Sequence, residues 1–247
     1  MKLRILFLII TFLSTIMIFS QNQKQLVIVF ENYPPNTFIE NNIPVGTELD
    51  IIKETLSLMN TTVEFKEFPW ARCMAMVKNG DADGITPIFK TKERETFLFY
   101  PEEYTTYEIN SLFKPKDSKI EYKGNLEEIK NYTICVKSET SYGEMFDKFK
   151  FLKKEIVSDQ ITIIKMVAGK RTDFGVGPVQ VMTYMAKKDN YLSKIEFVTP
   201  ELSKDPLFVA FSKAKDKNHE LLAKEFSIKL KEFKKTDKYQ KILKKYN

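Results

Sequence analysis

Histidine is nearly absent from this chain, with one in 247 residues, and cysteine is limited to Cys73 and Cys135. That leaves almost no material for a zinc site or a histidine-based nucleophilic triad. The two cysteines are the only disulfide candidates, one in a helical pattern and one mid-strand. Two separate buried thiols are therefore expected rather than a bridge. His219 lies in a charged C-terminal helical stretch and reads as solvated. Glycine and tryptophan are also scarce, at eight and one. The arginines are Arg4, Arg72, Arg94 and Arg171, a small part of the 39 basic residues. No low-complexity linker and no exact internal repeat interrupt the sequence.

The one long apolar run is "ILFLIITFLSTIMIF", 15 residues behind the basic head "MKLR" and ahead of the polar "SQNQKQ". It is short for a bilayer span of about 20 residues. A basic head, a short apolar run and a small exit residue read as a secretory signal peptide over residues 1–20. Export to the periplasm or the extracellular space is expected. Removing Lys2 and Arg4 lowers the formal net charge of +6 to about +4. The remaining lysines are interleaved with Glu and Asp, which suits a solvated surface rather than a nucleic-acid groove.

Downstream, apolar runs alternate with helical spacings. "QLVIVF" reads as a buried strand ended by the turn "ENYPPN". Leu49, Ile52, Leu56 and Met59 then recur at helical intervals. "TVEFKEF" alternates as a strand, Pro69 stands where a helix can begin, and Gly80 is placed to end it. "ADGITPIF" is the next strand. The pattern restarts at "NYTICV", followed by a loop with Ser141-x-x-Glu144 spaced as a capping box. "DQITIIKMVAGKRTDFGVG" reads as a helix ending near Gly169, then a strand. "DPLFVAFSK" is a further strand, and the sequence from "NHELL" onward reads as helix to the end. Alternation of this kind implies a mainly parallel sheet with helices on its faces. Two such units predict an α/β protein of two lobes facing a cleft.

The succession "VIVFENYPPNTF", "LDII", "MVKNGDADGI", "TKERETFLFY", "NYTICV", "TSYGEMF", "MVAGKRTDFGVG" and "FVAFSK…YQKILKKY" resembles the family 3 extracellular solute-binding proteins, the polar amino-acid-type receptors of ABC importers. No single motif carries this; their order and spacing over nearly all of the exported chain does. The resemblance implies a periplasmic-binding-protein type II fold whose two lobes are joined by two hinge strands. It places residues 21–106 and 210–247 in one lobe and 107–209 in the other, with crossings near Tyr104–Tyr107 and Phe208–Phe211. It implies a non-catalytic monomer that needs no cofactor. Such a receptor binds a small polar ligand, closes about its hinge, and docks on a membrane permease.

Arg94 aligns with the arginine that grips a ligand carboxylate in amino-acid-binding members, a task suited to a planar fork of donors. Glu31 and Tyr33 leave the first strand at its C-terminal end, where open α/β sheets bind ligands. Two roles are open to Tyr33, stacking on a ligand or covering the lobe's edge. Thr86 and Phe89 follow on the neighbouring strand, with local hydrogen bonding and core packing as their alternatives. Thr140, Ser141 and Tyr142 precede a helix, a place suited to an anion. Trp70 starts a helix at the same sheet edge, either as a cleft wall or as a core tryptophan. Arg72 is a second anion contact or a brace for the loop carrying Glu31. A branch of the family resembles this chain in having Pro69-Trp70-x-Arg72.

One departure concerns the ligand. Amino-acid-binding members carry an ammonium-binding Asp at the position five residues after Asp173, and here that residue is Pro178. Two further functions share this fold: a cyclohexadienyl-type dehydratase, with Glu31 or Glu139 as general acid, and a sensor for a membrane signalling partner.

Overall fold

The structure, a computed structural model, describes residues 25–138 and 140–246. The expected signal peptide and Glu139 lie outside the described residues. Strand β1 (Gln25–Phe30) is followed by a hairpin of β2 (Phe38–Glu40) and β3 (Ile43–Val45), then α1 (Thr47–Ser57), β4 (Thr62–Glu67), α2 (Trp70–Asn79) and β5 (Gly84–Phe89). A 3-10 turn at Arg94–Thr96 leads into the short β6 (Leu98–Phe99) and the long β7 (Thr106–Pro115). The second unit holds β8 (Thr133–Lys137), α3 (Glu144–Lys148), β9 (Lys153–Val157), α4 (Gln160–Ala168), β10 (Phe174–Pro178), α5 (Val179–Lys188) and β11 (Ile195–Phe197). The chain returns through β12 (Ser203–Ser212) and ends in α6 (His219–Phe233) and α7 (Asp237–Lys245).

All strands but the β2–β3 hairpin join one sheet in the order β4-β1-β5-β12-β7-β10-β8-β9, with β6 on β12 and β11 on β7. The outer triplets β4-β1-β5 and β10-β8-β9 are parallel, while β12 runs antiparallel to both β5 and β7. The central pair changes partners along its length. The first half of β12 pairs with β7, Ser203 facing Asn110 and Leu207 facing Thr106. Its second half, Leu207 to Phe211, pairs with β5. The second half of β7 pairs with β10.

Alternation along these strands sends neighbouring residues to opposite faces of the sheet. On β12, Val209 and Phe211 join Leu26, Ile28, Ile52, Leu56, Phe226 and Leu230 beneath α1 and α6, while Ala210 joins Val29, Cys73, Val77 and Ile85 beneath α2. On β7, Leu112 packs with Ile134, Phe146 and Phe174, while Phe113 packs with Ile163, Val167 and Met182 under α4 and α5. The apolar clusters on one side of the β7–β12 pair share no residue with those on the other. The fold is thus the two-lobed periplasmic-binding-protein type II arrangement, two α/β lobes joined by two long strands.

Helix α2 begins at Pro69 and stops at Gly80, whose φ of 82° is the left-handed C-cap that a residue with a Cβ adopts only at a cost. A Cβ there would also meet the Ala214 backbone at 3.0 Å. Both cysteines are free and buried, and burial pushes each thiol up to about 11, away from reactivity.

Three expectations are corrected. The C-terminal helix is two helices, broken where the Thr236 side chain accepts from Tyr239 N to start α7. The capping box does not form, because α3 starts only at Glu144, with Gly143 as its N-cap. His219 is fully buried: its Nδ1 donates to the Ser212 carbonyl at 2.8 Å, and its Nε2 lies 3.2 Å from Asp83 Oδ1. Its lysine and glutamate neighbours in sequence face outward, whereas the histidine itself turns in under β12.

Candidate functional site

A cavity of about 460 Å³ opens between the lobes, lined by Glu31, Tyr33, Trp70, Phe89, Arg94, Glu108, Thr140 and Ser141, with Pro87, Ile88 and Leu207. It adjoins a recess of about 350 Å³ that shares Phe89, Glu108 and Ser141 and adds Lys90, Asn110, Gly143, Glu144, Asp205 and Pro206. The two form one cleft, and strands β7 and β12 make its floor.

One wall comes from the ends of β1, β5 and the start of α2. After β1, Thr37 Oγ1 donates to the Glu31 carbonyl at 2.7 Å, and Tyr33 and Thr37 bridge back on each other, fixing the turn. That turn aims Tyr33 across the cleft, where its hydroxyl donates to Glu108 Oε2 at 2.8 Å. Burial and the neighbouring carboxylate raise the tyrosine's pKa well above its usual value. Burial also raises Glu108, although hydrogen bonds from Tyr33 and Asn110 partly offset it; the Asp205 charge adds to the rise. Phe68 N donates to the Phe30 carbonyl at 2.9 Å, which sets α2 beside β1 and brings Trp70 to the cavity. The Arg94 guanidinium stands 5.4 Å from the Trp70 ring centroid and donates from Nη1 to the Phe89 carbonyl at 2.9 Å. An arginine stacked on tryptophan is held in place while keeping further N–H donors free.

The opposite wall is the loop before α3. Gly143, at φ 110°, passes so close to β12 that a Cβ would lie 2.8 Å from that of Ser203. The donors expected to hold an anion here are used locally. Ser141 Oγ and Tyr142 N both donate to the Asp147 carboxylate, and Thr140 Oγ1 donates to the Ser138 carbonyl at 3.1 Å.

Seven residues marked in the sequence therefore meet at one cavity: Glu31, Tyr33, Trp70, Phe89, Arg94, Thr140 and Ser141. Three do not line it. Arg72 is exposed and lies over the Phe68 ring at 4.3 Å. Thr86 is fully buried, its hydroxyl 3.4 Å from Glu48 Oε2. Tyr142 packs in the second lobe's core and its hydroxyl accepts from Lys137 N at 2.8 Å.

Reading the sequence missed the floor: Glu108, Asn110 and Asp205. A signal for part of it exists, since Thr106, Glu108 and Asn110 on β7 alternate with Tyr107 and Ile109 at period two, whereas the polar run Ser203-Lys204-Asp205 that opens β12 shows no such alternation. Among the described residues no cluster of His, Cys, Asp and Glu is placed to hold a metal ion, and no helix is long and apolar enough to cross a membrane.

A two-lobed α/β chain with a polar and aromatic cleft over paired hinge strands defines a ligand-binding class of protein. Comparison with known proteins gives the family: residues 26–247 match the bacterial extracellular solute-binding proteins, family 3, and the chain belongs to that family. The Bacillus subtilis protein YckB is similar in fold, with a TM-score of 0.74 at 21% identity over 90% of this chain and 89% of its own. So is the second substrate-binding domain assigned to an amino acid ABC transporter of Streptococcus pneumoniae, with a TM-score of 0.73 at 21% identity, over 90% of this chain and 99% of the domain. A histidine kinase sensor domain with similarity to periplasmic binding proteins gives a TM-score of 0.67 at 19% identity, over 91% and 96%. No curated protein matches the sequence.

Proposed function

We propose that this chain is an exported, non-catalytic receptor that captures a small polar, amino-acid-like or organic-acid solute between its lobes and delivers it to an ABC permease. Residues 21–106 with 210–247 would form one jaw and 107–209 the other, closing about β7 and β12 on a monomer. The observation that carries this reading is the cleft itself. Its walls come from both lobes, and its floor is the pair of strands about which they would turn. Closure would exclude water from Arg94, Trp70 and Glu108 and strengthen their contacts with the solute.

Isothermal titration against amino acids, short peptides and organic acids, with X-ray scattering in parallel, tests it. Saturable binding with a decrease in radius of gyration is expected. Non-specific heats for every class, with no compact form, would overturn it. A sensing role is the second reading, favoured by the likeness to a kinase sensor domain. Permease and ATPase genes beside its own support import, and a lone kinase gene supports sensing.

A further inference from the structure

The cleft floor presents acceptors with too few donors. Glu108 and Asp205 are registered partners on β7 and β12, so their side chains leave the same face of neighbouring strands. Among the described residues no lysine or arginine forms an ion pair with Glu31, Glu108 or Asp205. Lys90 at the recess is engaged by Glu95 at 3.1 Å, and Lys204, beside Asp205, lies over the Tyr107 ring. Arg94 stays on the wall with Trp70 and Phe89.

Asn110 supplies the independent observation. It lines the recess and is only 3% exposed. Its Nδ2 donates to Ser203 Oγ at 3.3 Å, but its Oδ1 is buried without a hydrogen-bond partner. Its neighbour on the other side, Pro178 of β10, has no side-chain donor to offer. A buried amide oxygen left unpaired beside two carboxylates that no lysine or arginine pairs, one of them held only by the neutral donors Tyr33 and Asn110, is the environment a multi-donor cation satisfies. Water could meet the amide oxygen; it would leave the like charges of Glu108 and Asp205 facing each other.

We propose that the floor of the cleft is a cation seat, in which Glu108, Asp205 and Asn110 Oδ1 receive a primary ammonium or guanidinium group of the ligand. This rests on the cleft being the ligand site and narrows the ligand class within it. A solute carrying only carboxylates would meet Glu31, Glu108 and Asp205 with Arg94 as its one strong attraction. A zwitterion or cation satisfies both ends, its carboxylate, where present, on Arg94 and its N–H donors on the floor. Tyr33, Trp70 and Phe89 add aromatic faces on which a cation is favoured.

The test is titration of the full exported chain with arginine, lysine, putrescine and glutarate, followed by Glu108→Gln and Asp205→Asn. Melting curves of both variants serve to establish that they fold. At least one of the three amines is expected to bind and glutarate is not. Glu108→Gln is expected to weaken the amine by about thirty-fold, the scale of one lost charge-assisted hydrogen bond. Asp205→Asn is expected to weaken it by about five-fold, as for a second, more distant charge. Binding of glutarate and of no amine would overturn the cation seat and leave the receptor reading intact. Amine binding unchanged in a folded Glu108→Gln variant would overturn it as well. Binding of none of the four by the wild-type chain would overturn the seat for these cations, while saturable binding of any other solute would still uphold the receptor.

Discussion

The Tyr33 hydroxyl donates to Glu108 Oε2 at 2.8 Å, tying the turn after β1 to the strand on which the lobes would hinge. Burial raises Glu108, and the tyrosine's hydrogen bond acts in the opposite direction. A cationic ligand needs the carboxylate ionised, so its affinity should fall as pH drops through this raised value, earlier than for an ordinary glutamate. Tyr33→Phe removes the donor and raises Glu108 further. The acid limb of the binding profile should then move to higher pH, with affinity at neutral pH lower by about ten-fold. Titration calorimetry between pH 5 and 8 reads both effects; an unmoved limb would show that Tyr33 does not tune the floor.

Trp70 is the only tryptophan in the chain and lines the cavity, so its emission should report occupancy directly. Its ring also supports the Arg94 guanidinium. Trp70→Ala should abolish measurable binding or weaken it by about a hundred-fold, the scale of an aromatic hot spot, while the fold persists. Trp70→Phe should keep most of the affinity. Equal binding by the alanine variant, with a melting curve like that of the wild type, would remove Trp70 from the site.

The walls of the cleft were legible because they sit where local signals end. Glu31 and Tyr33 follow an apolar strand, Trp70 follows Pro69, and Phe89 closes β5. Such boundaries are written in a few adjacent residues. The floor was not legible, because Glu108 and Asp205 meet only through the pairing of strands far apart in the chain. His219 was misread for a related reason: its partners, Ser212 O and Asp83, are supplied by the packing of α6 against β12 and β5. Strand β9 also went unread, since its "KKEIV" is mostly exposed at the sheet's edge, where no apolar alternation is required.

Glu48 provides a stability test away from the ligand. It is fully buried in the first turn of α1, accepting from Thr106 Oγ1 at 2.5 Å and lying 3.4 Å from the Thr86 hydroxyl. Burial raises its pKa, and the threonine hydrogen bonds lower it less. A carboxyl raised in the folded state contributes stability that is fully present below its unfolded value and lost as pH rises through the folded one. Glu48→Gln cannot ionise and escapes that loss. Its melting temperature should exceed that of the wild type by about 2–4 °C at pH 8, or roughly 1 kcal/mol, with no advantage at pH 4. A gap that does not change with pH would show that Glu48 ionises in the fold as readily as in the unfolded chain, and that burial does not raise it.

Asp83 has the opposite sign. It is 7% exposed, accepts from Val27 N at 2.8 Å through Oδ2, and places Oδ1 3.2 Å from His219 Nε2. Burial alone would raise it, but the His219 contact and the Val27 N–H together hold its pKa below the usual aspartate value. Such a group contributes stability present above its unfolded value near 3.8 and lost as pH falls through its folded value. Asp83→Asn keeps the shape and removes the charge, leaving His219 buried beside a neutral amide. The loss should be about 2–3 kcal/mol in urea unfolding at pH 7, comparable with breaking a buried charged contact. The difference should begin to shrink below pH 3.8, where the unfolded chain takes up the proton, and close only as pH falls through the lower folded value, where the wild type's own Asp83 protonates. Equal stability of the two proteins at pH 7 would mean that the Asp83–His219 contact contributes nothing to holding α6 on the sheet.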